Sequence, residues 1–466
     1  EMISVSLSDS SPAASTVIAG QALAHVVSYD FENNTGDDVV VTGLDLDRTG
    51  VSSDTTLSAV YLFDGYVRES DSATVSSGII SWNDTGDVGL FVVPAGETKT
   101  IDVRSNVAAA TGGQTLGLDL LDESDVEFDG SNEAEGSFPI ESDLHTVATL
   151  PTNFATFAFA IASTPSDNSA LDPQDDYRLW EETVTVGNNE VYLYSASFRN
   201  IGSVDAEDVQ NWALYIAGTA YGDEVASENE DGYVTFDLSA DPVKMNTGSH
   251  VVKVLADIVG GSTRTVTVGL RDVGDIFVTD EDYEQPVLVT GNTSLTTASF
   301  AAQDAGAQTI TPCSITFTKT TDSASGDVIL SASGASLGTF EVKASGEAMK
   351  IESLRVAIEE EDDGTSTDDD GDTAYTLRNG ALYADGTQVG STAAIAGDAD
   401  STLAYTSYTF GSSFIVYPGS PIELEIRADV FDSDGTNAFD TNAPDSLQVV
   451  LAAVSGVSNV LRKTSG

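Results

Sequence analysis

The stretch VYLFDGYVRES, from Val60 to Ser70, decides the fold because runs of alternating apolar residues flank a glycine turn. Period-two alternation is typical of a half-buried β-strand, and a short glycine-containing break between two such runs is typical of a β-hairpin. The same layout returns in WALYIAGTAYGDEV from Trp212 and in ALYADGTQVGS from Ala381. The sequence therefore predicts one hairpin used three times.

Each predicted hairpin is followed by a second glycine turn and a strongly alternating strand. These strands lie in VPAGETKTIDVRSNV (93–107), MNTGSHVVKVLADI (245–258) and VYPGSPIELEIRADV (416–430). If Tyr61 is matched with Tyr215 and Tyr383, the turn glycine follows 33 to 36 residues later in all three cases. Upstream, we match the strands AHVVSYDFENNTG, VYLYSASFRNIGS and LGTFEVKASGE. The spacing predicts three domains of ordinary size, at 1–150, 151–308 and 309–466.

Alternation dominates the chain, and helical periodicity is hard to find over any long window, so the fold class is predicted to be all-β. Seven or more short strands per repeat, separated by turn signals, favour three tandem immunoglobulin-like (Greek-key) β-sandwich domains. The alternative is a jelly roll.

The charge of the chain excludes one class of partner and indicates a medium. The 466 residues include 75 Asp and Glu against 18 Lys and Arg, which gives a formal net charge of −57. Nucleic-acid binding through phosphate neutralisation is excluded because it needs a basic surface. A hydrophobic content of 41% predicts a folded core under the acidic coat. The negative charges of such a coat repel one another, and cations in a saline or calcium-containing medium screen this repulsion. No apolar stretch of the sequence is long enough to span a membrane.

A resemblance to a known class of proteins is carried by the first repeat. The order SPAASTVIAG (11–20), FENNTGDDVVVTGLDLDRTG (31–50), VYLFDG (60–65) and VPAGETKTIDVRSNV (93–107) resembles the tandem β-sandwich repeats of large bacterial cell-surface proteins. These proteins are of the S-layer and extracellular fibre or pilus type, especially in small-genome uncultivated bacteria. The resemblance is weaker in the third repeat and weakest in the second. It implies an extracellular, structural role.

Catalytic constellations are poorly supported, so the chain is predicted not to be an enzyme. His25, His145 and His250 lack the spacing of a zinc site, and each is expected to be a solvated or hydrogen-bonded strand residue. Ser336 in GASLG matches a nucleophile elbow in form, but no histidine follows it, which predicts a small-residue turn between strands. Cys313 is expected to be a small buried apolar residue.

Cation binding is the one chemistry that the composition favours, because calcium takes oxygen ligands from closely spaced acids on loops. The stretch EEEDDGTSTDDDGD (359–372) is largely a 12-residue insertion relative to the first repeat, since Leu354 lies 29 positions before Tyr383 and Leu44 only 17 before Tyr61. Three loops are therefore candidate calcium sites. Their predicted ligands are Asp368, Asp370 and Asp372; Asp432, Asp434, Asn437 and Asp440; and Asp280 and Asp282.

The sequence gives weaker signals for glycosylation, for a covalent crosslink and for an aromatic binding patch than for cation binding. Asn33, Asn83 and Asn292 begin N-x-Ser/Thr sequons in predicted loops. Lys319 offers the most plausible lysine for a crosslink to asparagine, if it is buried beside an acid. The stretch DDYRLWEE (175–182) is a candidate aromatic binding patch, although a core position for Trp180 is favoured over it because large aromatic residues are usually buried.

Two functions remain open at this stage. The leading hypothesis is a structural subunit that assembles with identical copies into an S-layer lattice or a pilus-like filament at the cell surface, stabilised by calcium. In one version, the N-terminal strand EMISVSLS adds to an edge of a neighbouring chain. The alternative is an adhesin that binds glycans or another cell envelope through its loops.

Overall fold

The computed structural model describes residues 2–86, 89–160, 164–291, 303–329, 331–361, 376–396, 404–411, 413–431, 446–452 and 460–462. Regular structure is almost entirely β, which confirms the predicted fold class. Short 3-10 turns lie at Asp54–Thr56, Glu123–Asp125 and Val273–Asp275. No helix among these residues is long and apolar enough to cross a bilayer.

The strands of the first repeat (1–150) form two sheets. They are β1 (Met2–Leu7), β2 (Thr16–Ile18), β3 (Ala24–Asn33), β4 (Val39–Thr49), β5 (Leu57–Asp64), β6 (Val67–Arg68), β7 (Ile79–Asn83), β8 (Phe91–Val93), β9 (Thr98–Val107), β10 (Thr115–Asp119), β11 (Val126–Phe128), β12 (Glu133–Glu135) and β13 (His145–Ala148). The first sheet has the order β12-β1-β3-β9-β5-β6, and the second is built around β4 and β10.

The second repeat (151–308) has a corresponding first sheet. Its strands, with the one that continues to Ile310, are β14 (Thr156–Phe159), β15 (Asn168–Leu171), β16 (Gln174–Gly187), β17 (Val191–Asn200), β18 (Val209–Ile216), β19 (Thr219–Val225), β20 (Tyr233–Asp237), β21 (Val243–Met245), β22 (Gly248–Ile258), β23 (Thr265–Val266), β24 (Val268–Leu270), β25 (Ile276–Asp280), β26 (Val289–Gly291), β27 (Gln303–Asp304) and β28 (Gln308–Ile310). The order β26-β14-β16-β22-β18-β19 matches that of the first repeat, and the opposing sheet is centred on β17.

The third repeat (309–466) shares this layout in its described part. Its strands are β29 (Ser314–Lys319), β30 (Ala335–Ser345), β31 (Met349–Ile351), β32 (Ser353–Glu361), β33 (Thr376–Ala384), β34 (Thr387–Ala396), β35 (Thr406–Thr409), β36 (Ile415–Val416), β37 (Ile422–Asp429), β38 (Ser446–Ala452) and β39 (Val460–Arg462). The order of the first sheet is β29-β30-β37-β33-β34. A separate large core cluster fills each repeat, while the division of the chain at 150 and 308 stays a prediction.

The three hairpins are present as predicted: β5–β6, β18–β19 and β33–β34. Their two-residue loops need left-handed backbone, which glycine adopts without steric cost. Gly65 has a φ of 59°, Ala217–Gly218 have 49° and 85°, and Asp385–Gly386 have 46° and 77°. Each hairpin pairs with the alternating strand that follows it, β9, β22 or β37.

Two of the matches made from sequence are wrong in register. Leu62, Leu214 and Leu382 face the cores and pair with Val103, Val254 and Ile426, so Tyr215 and Tyr383 correspond to Phe63. Tyr61 lies two residues earlier on the same outer face. The error arose because both positions of the first hairpin are aromatic.

The stretch VYLYSASFRNIGS was matched with the wrong strand of the first repeat. It forms β17, which lies in the opposing sheet, and the strand that corresponds to β3 is β16. Both strands alternate aromatic and small residues, so the pattern alone did not separate them. The version of the assembly hypothesis that uses EMISVSLS is also not supported, because β1 is paired within its own sheet with β3 and β12.

Candidate functional site

The outer face of the first hairpin packs against the second repeat through a cluster of aromatic rings. Tyr66, in the hairpin loop, stacks on Tyr194 of β17 with ring centres 4.6 Å apart and planes 13° apart. Phe277 of β25 meets the edges of Tyr66 and Phe63 at 4.9 and 6.0 Å. Phe63 and Phe277 are 0% and 2% exposed, so the two repeats share a small apolar core of their own. We call this contact the joint.

An acidic turn on the second repeat holds the polar side of the joint. The carboxylates of Asp272 and Asp275 accept backbone N–H groups of the 3-10 turn, as in a capping box. Across the joint, the Tyr61 hydroxyl donates to Oδ1 of Asp272 at 2.7 Å. Arg68 reaches Oδ1 of Asp275 with Nη2 at 2.7 Å and Nε at 3.1 Å, and Nη2 also donates to the Tyr233 hydroxyl.

This ion pair lies out of water. The Asp275 side chain is 0% exposed and that of Arg68 is 7% exposed. Burial opposes the charge on Arg68, but the attraction of Asp275 outweighs it, so the pKa of Arg68 rises further above its ordinary value. Breaking such a pair leaves a buried charge without its partner, so separating the two repeats has a high cost in free energy.

A second buried arginine, Arg104 of β9, lies between aromatic rings of both repeats. Its guanidinium carbon is 4.9 Å from the ring centre of Phe277 and 5.9 Å from that of Phe63. Nη2 donates to Oδ2 of Asp102 at 2.7 Å. Burial would raise the pKa of Asp102, but hydrogen bonds from His25 and Ser28 and the charge of Arg104 lower it to about 2. For His25, burial outweighs its hydrogen bond to Asp102 and lowers the pKa below 6.5.

Arranged in this way, the joint fixes one sandwich on the next. It combines desolvated rings, two buried guanidinium groups and hydrogen bonds between the repeats, including one from the Ser195 hydroxyl to the Tyr66 carbonyl at 2.6 Å. Sequence reasoning missed the joint, although a signal was present. Strand positions facing away from the core normally carry polar residues, whereas here Tyr61 and Phe63 occupy them.

Residue types from both halves of the joint recur elsewhere on the chain. In the third repeat, Glu425, Arg427 and Tyr383 occupy the positions of Asp102, Arg104 and Phe63, and the Arg427 guanidinium carbon lies 4.5 Å from the Tyr383 ring centre. In the first repeat, the turn Glu123–Asp125 repeats the acidic turn. There the Asp125 carboxylate accepts the Asp122 N–H and the Asp122 carboxylate accepts the Ser124 N–H, as Asp275 and Asp272 accept the N–H groups of Asp272 and Gly274.

The predicted calcium ligands fall into two groups. The residues Asp368, Asp370 and Asp372 and the residues Asp432, Asp434, Asn437 and Asp440 lie outside the described part of the chain. Asp280 and Asp282 are described, and Asp282 is exposed. Within the described ranges, no three His, Cys, Asp or Glu side chains come together as a potential metal site.

Asp280 has a hydrogen-bonding role in the structure. It is fully buried, and its carboxylate accepts N–H groups from Ala155, Asn189, Asp282 and Tyr283 at 2.6 to 3.0 Å. These four donors occupy the lone pairs that a cation would need, so the prediction for Asp280 and Asp282 is not carried further.

The predicted roles of the histidines are confirmed. His25 Nε2 lies 2.7 Å from the Ser28 hydroxyl, His145 Nδ1 lies 2.8 Å from the Ser15 hydroxyl, and His250 Nε2 lies 2.7 Å from a backbone carbonyl. Each therefore has an ordinary hydrogen-bond partner.

Ser336 and Cys313 both depart from their predictions. Ser336 lies inside β30 and not in a turn. Cys313 is half-buried against the third core.

Several other predictions are decided by burial. Trp180 is 0% exposed in the second core, so DDYRLWEE is not an aromatic binding patch. Asn33 is 0% exposed, and its side-chain amide donates to two backbone carbonyls, which excludes it as a glycan acceptor in the folded chain. Asn83 is exposed at the end of β7, and Asn292 lies outside the described residues. Lys319 is exposed, so the buried crosslink predicted there is wrong.

Two grooves flank the joint. One, of about 440 Å³, is lined by Arg68, Arg199, Tyr233, Asn83 and Asn229 among other residues of both repeats. The other, of about 470 Å³, lies beside His25, Arg104 and Tyr194.

Comparison with known proteins adds little to this geometry. No protein-family model matches the chain, and no curated protein sequence matches it. Among solved structures, the chain is similar to the C-terminal domain of the Streptococcus pyogenes antigen I/II-family protein AspA, with 8% identity over 66% of this chain and 99% of that chain and a TM-score of 0.16.

Two further likenesses are a chaperone and tip-adhesin complex of CFA/I fimbriae and the secreted serine protease VesC from Vibrio cholerae. The first has 8% identity over 63% of this chain and 97% of that chain, with a TM-score of 0.15. The second has 10% identity over 52% of this chain and 44% of that chain, with a TM-score of 0.13. Likenesses at these TM-scores carry no argument about function.

Proposed function

We propose that the chain is a non-enzymatic structural subunit of an extracellular surface structure. In this proposal, identical copies join head to tail through a contact like the joint, and form a filament or a lattice. The successive sandwiches and the acidic exterior, with a net charge of −57, suit a long structure in a saline medium.

The observation that carries the proposal is the recurrence of joint residue types on exposed surface. The side chain of Arg427 is 38% exposed, whereas that of Arg104, its counterpart in the joint, is 10% exposed. In the acidic turn of the first repeat Asp122, Glu123 and Ser124 are exposed and Asp125 is half-buried, whereas its counterpart Asp275 is buried. Within the described part of the chain, the third repeat thus presents an arginine, and the first repeat an acidic turn, that are more exposed than their counterparts in the joint.

The junction between the second and third repeats supports the idea that the arginine at the position of Arg104 and the acidic turn act together in joining two repeats. At the position of Arg104 the second repeat has Leu255, which pairs with Ala213 on the hairpin. The segment AVSGVSN (453–459), which lies outside the described residues, follows β38 in the sequence as the acidic turn follows β24, and it contains no acid. The contacts between these repeats include the backbone N–H of Ser262, which donates to Glu347 at 3.0 Å, and the Ser262 hydroxyl, which accepts the backbone N–H of Cys313 at 2.6 Å.

Charge complementarity favours a contact between the third repeat of one copy and the first repeat of the next. Glu127 follows the acidic turn of the first repeat at the position that Phe277 has in the second. In a contact built like the joint, Arg427 therefore faces the carboxylate of Glu127 where Arg104 faces a ring. Such a contact joins unlike surfaces, and unlike surfaces propagate into open filaments or lattices unless the rotation closes a ring.

Charge reversal tests the proposal. We expect the full chain to form polymers in sedimentation velocity at moderate salt, and Arg427→Glu to abolish them. Adding Glu127→Arg to that variant restores the attraction and should restore assembly. Arg178→Glu, on an exposed pair of the second repeat, is the matched control and should leave assembly unchanged. A wild-type chain that stays monomeric, or an Arg427→Glu chain that polymerises normally, contradicts the proposal.

Calcium is proposed to stabilise the assembly by binding the acidic insertion. The support is compositional, since Asp368, Asp370 and Asp372 are closely spaced acids in a chain with few basic residues. Isothermal titration of calcium into the full chain and into the variant with all three changed to Asn tests this. Equal heats from both proteins contradict it.

An adhesin remains the second candidate, because of the 440 Å³ groove beside the joint. Two of the chain's few arginines, Arg68 and Arg199, lie over the ring of Tyr233 there, at 5.4 and 5.3 Å. Exposed amides and an aromatic ring suit a polar ligand such as a glycan. Binding of monomeric chain to a glycan array, lost in Arg199→Ala, supports this function.

A further inference from the structure

The first strand of each of the first two repeats is held on both sides within its sheet. β1 lies between β3 and β12, and β14 lies between β16 and β26. In both cases one neighbour, β12 or β26, is a parallel strand from near the end of the same repeat. The first strand therefore does not form an edge, from which it could be pulled away from a single partner.

The last strand of each of these repeats is held in the same way. β13 lies between β10 and β2, and β28 lies between β23 and β15. Here one neighbour, β2 or β15, is a parallel strand from near the beginning of the same repeat. The beginning and the end of a repeat thus hold each other through two parallel strand pairs.

Hydrogen bonds at both ends of the β15–β28 pair extend it beyond the regular strands. The Asn168 N–H donates to the Ala307 carbonyl, and the Thr311 N–H donates to the Leu171 carbonyl, both at 3.0 Å. The carboxylate of Asp167 accepts the Ala307 N–H at 2.8 Å. This pair is therefore joined over its whole length by main-chain and side-chain bonds.

The β2–β13 pair of the first repeat is extended in the same manner. The Thr146 N–H donates to the Ser15 carbonyl, and the Ala19 N–H donates to the Ala148 carbonyl, both at 2.9 Å. The arrangement is therefore common to both repeats, although few of the residues that form it are the same.

Tension along the chain loads such a parallel pair in shear. The force draws the earlier strand toward its N-terminus and the later strand toward its C-terminus. In a parallel pair these two directions are opposite along one common axis, and the evenly spaced hydrogen bonds between the strands resist together. Strands that are pulled apart from the same end separate one bond at a time.

We propose that each of the first two repeats bears tension along the chain, with its two parallel strand pairs as the elements that resist the load. Resistance of this kind depends on the rate of unfolding under force and not on the equilibrium free energy alone. The inference deepens the proposed structural role, and rests on that role only for the source of the load.

The test is single-molecule pulling of the second repeat within the full chain, with two placements of DNA handles. The handles are attached to cysteines introduced into a Cys313→Ala chain at exposed side chains. In the first placement, Ser166→Cys with Ser314→Cys, β15 and β28 are pulled from opposite ends. In the second placement, Gln174→Cys with Ser314→Cys, the two strands are pulled from the same end.

We expect the second repeat to unfold at a force at least twofold higher in the first placement than in the second, at the same pulling speed. Asp167→Ala removes a hydrogen bond of the loaded pair and should lower the force in the first placement. The matched control is Asp237→Ala, which removes another exposed carboxylate that accepts one backbone N–H, and it should change neither force.

Equal forces in the two placements overturn the inference, and so does a higher force in the second placement. The two proteins differ only at exposed side chains, so the comparison does not depend on a substitution inside the core. The measurement uses single chains and is the same whether or not the chains polymerise. Equal forces therefore leave the proposed assembly through Arg427 standing.

Discussion

Nη2 of Arg68 in the first repeat lies 2.7 Å from Oδ1 of Asp275 in the second, although the two residues are 207 positions apart in the chain. Both side chains are almost completely removed from water. A contact of this kind makes the two repeats one mechanical unit, because separating them exposes an aromatic core and unpairs buried charge.

Removing the arginine of this pair should be strongly destabilising. Arg68→Leu leaves the Asp275 carboxylate buried without its cation, and we expect a loss of about 3 to 5 kcal/mol in unfolding free energy. Denaturant unfolding of the full chain measures it. The control Arg178→Leu removes an exposed pair and should cost at most about 1 kcal/mol. Equal effects of the two substitutions would show that the Arg68 pair contributes no more than a surface contact.

Truncating Phe277 tests the apolar part of the joint. The ring is 2% exposed and touches residues of the first repeat, so Phe277→Ala should cost about 3 to 5 kcal/mol. Glu127→Ala changes the corresponding, exposed position of the first repeat and should be within about 0.5 kcal/mol of wild type. Thermal unfolding of both variants provides the comparison, and a neutral Phe277→Ala contradicts a joint held by its rings.

Acid should weaken the joint through Asp102. Its pKa falls from an ordinary 3.8 to about 2 on folding, so its stabilisation is complete above about pH 4 and is lost as the pH falls toward 2. The shift corresponds to about 2 kcal/mol. We expect the unfolding free energy of Asp102→Asn to depend less steeply on pH between 4 and 2 than that of wild type. Parallel curves for the two proteins would rule out this contribution.

Asp280 should stabilise the second repeat without calcium. Asp280→Ala leaves four N–H donors without their acceptor, and we expect a loss of about 3 kcal/mol or more. The loss should be the same in EGTA and in millimolar calcium. The control Asp282→Ala, at an exposed side chain nearby, should be nearly neutral. A loss that appears only with calcium would restore Asp280 as a cation ligand.

The hairpins were predictable because their signals are local. Alternation and the turn glycines Gly65, Gly218 and Gly386 depend on residues close together in the chain, and the structure has all three turns. The alignment of one repeat with the next could not be predicted in the same way, because Tyr61 and Phe63 are both aromatic residues on the outer face of the hairpin. The pairing of Leu62 with Val103 in the structure shows that Phe63, and not Tyr61, is the counterpart of Tyr215 and Tyr383.

The joint itself depends on long-range contacts. Nothing in the sequence near Arg68 indicates Asp275 as its partner, since a capping box such as Asp272–Asp275 is also a common feature of exposed turns. The hydrogen bonds of Asp280 were equally inaccessible from sequence. Asp280 lies in an acidic stretch typical of a cation loop, but the fold buries its carboxylate among three backbone N–H groups and the side-chain amide of Asn189.

Negative-stain electron microscopy of the full chain, at high protein concentration in saline buffer with calcium, tests the central claim most directly. Head-to-tail assembly predicts filaments or ordered sheets whose repeat distance equals the length of one chain, and their loss in Arg427→Glu. Single elongated particles at every concentration of protein, salt and calcium would contradict it.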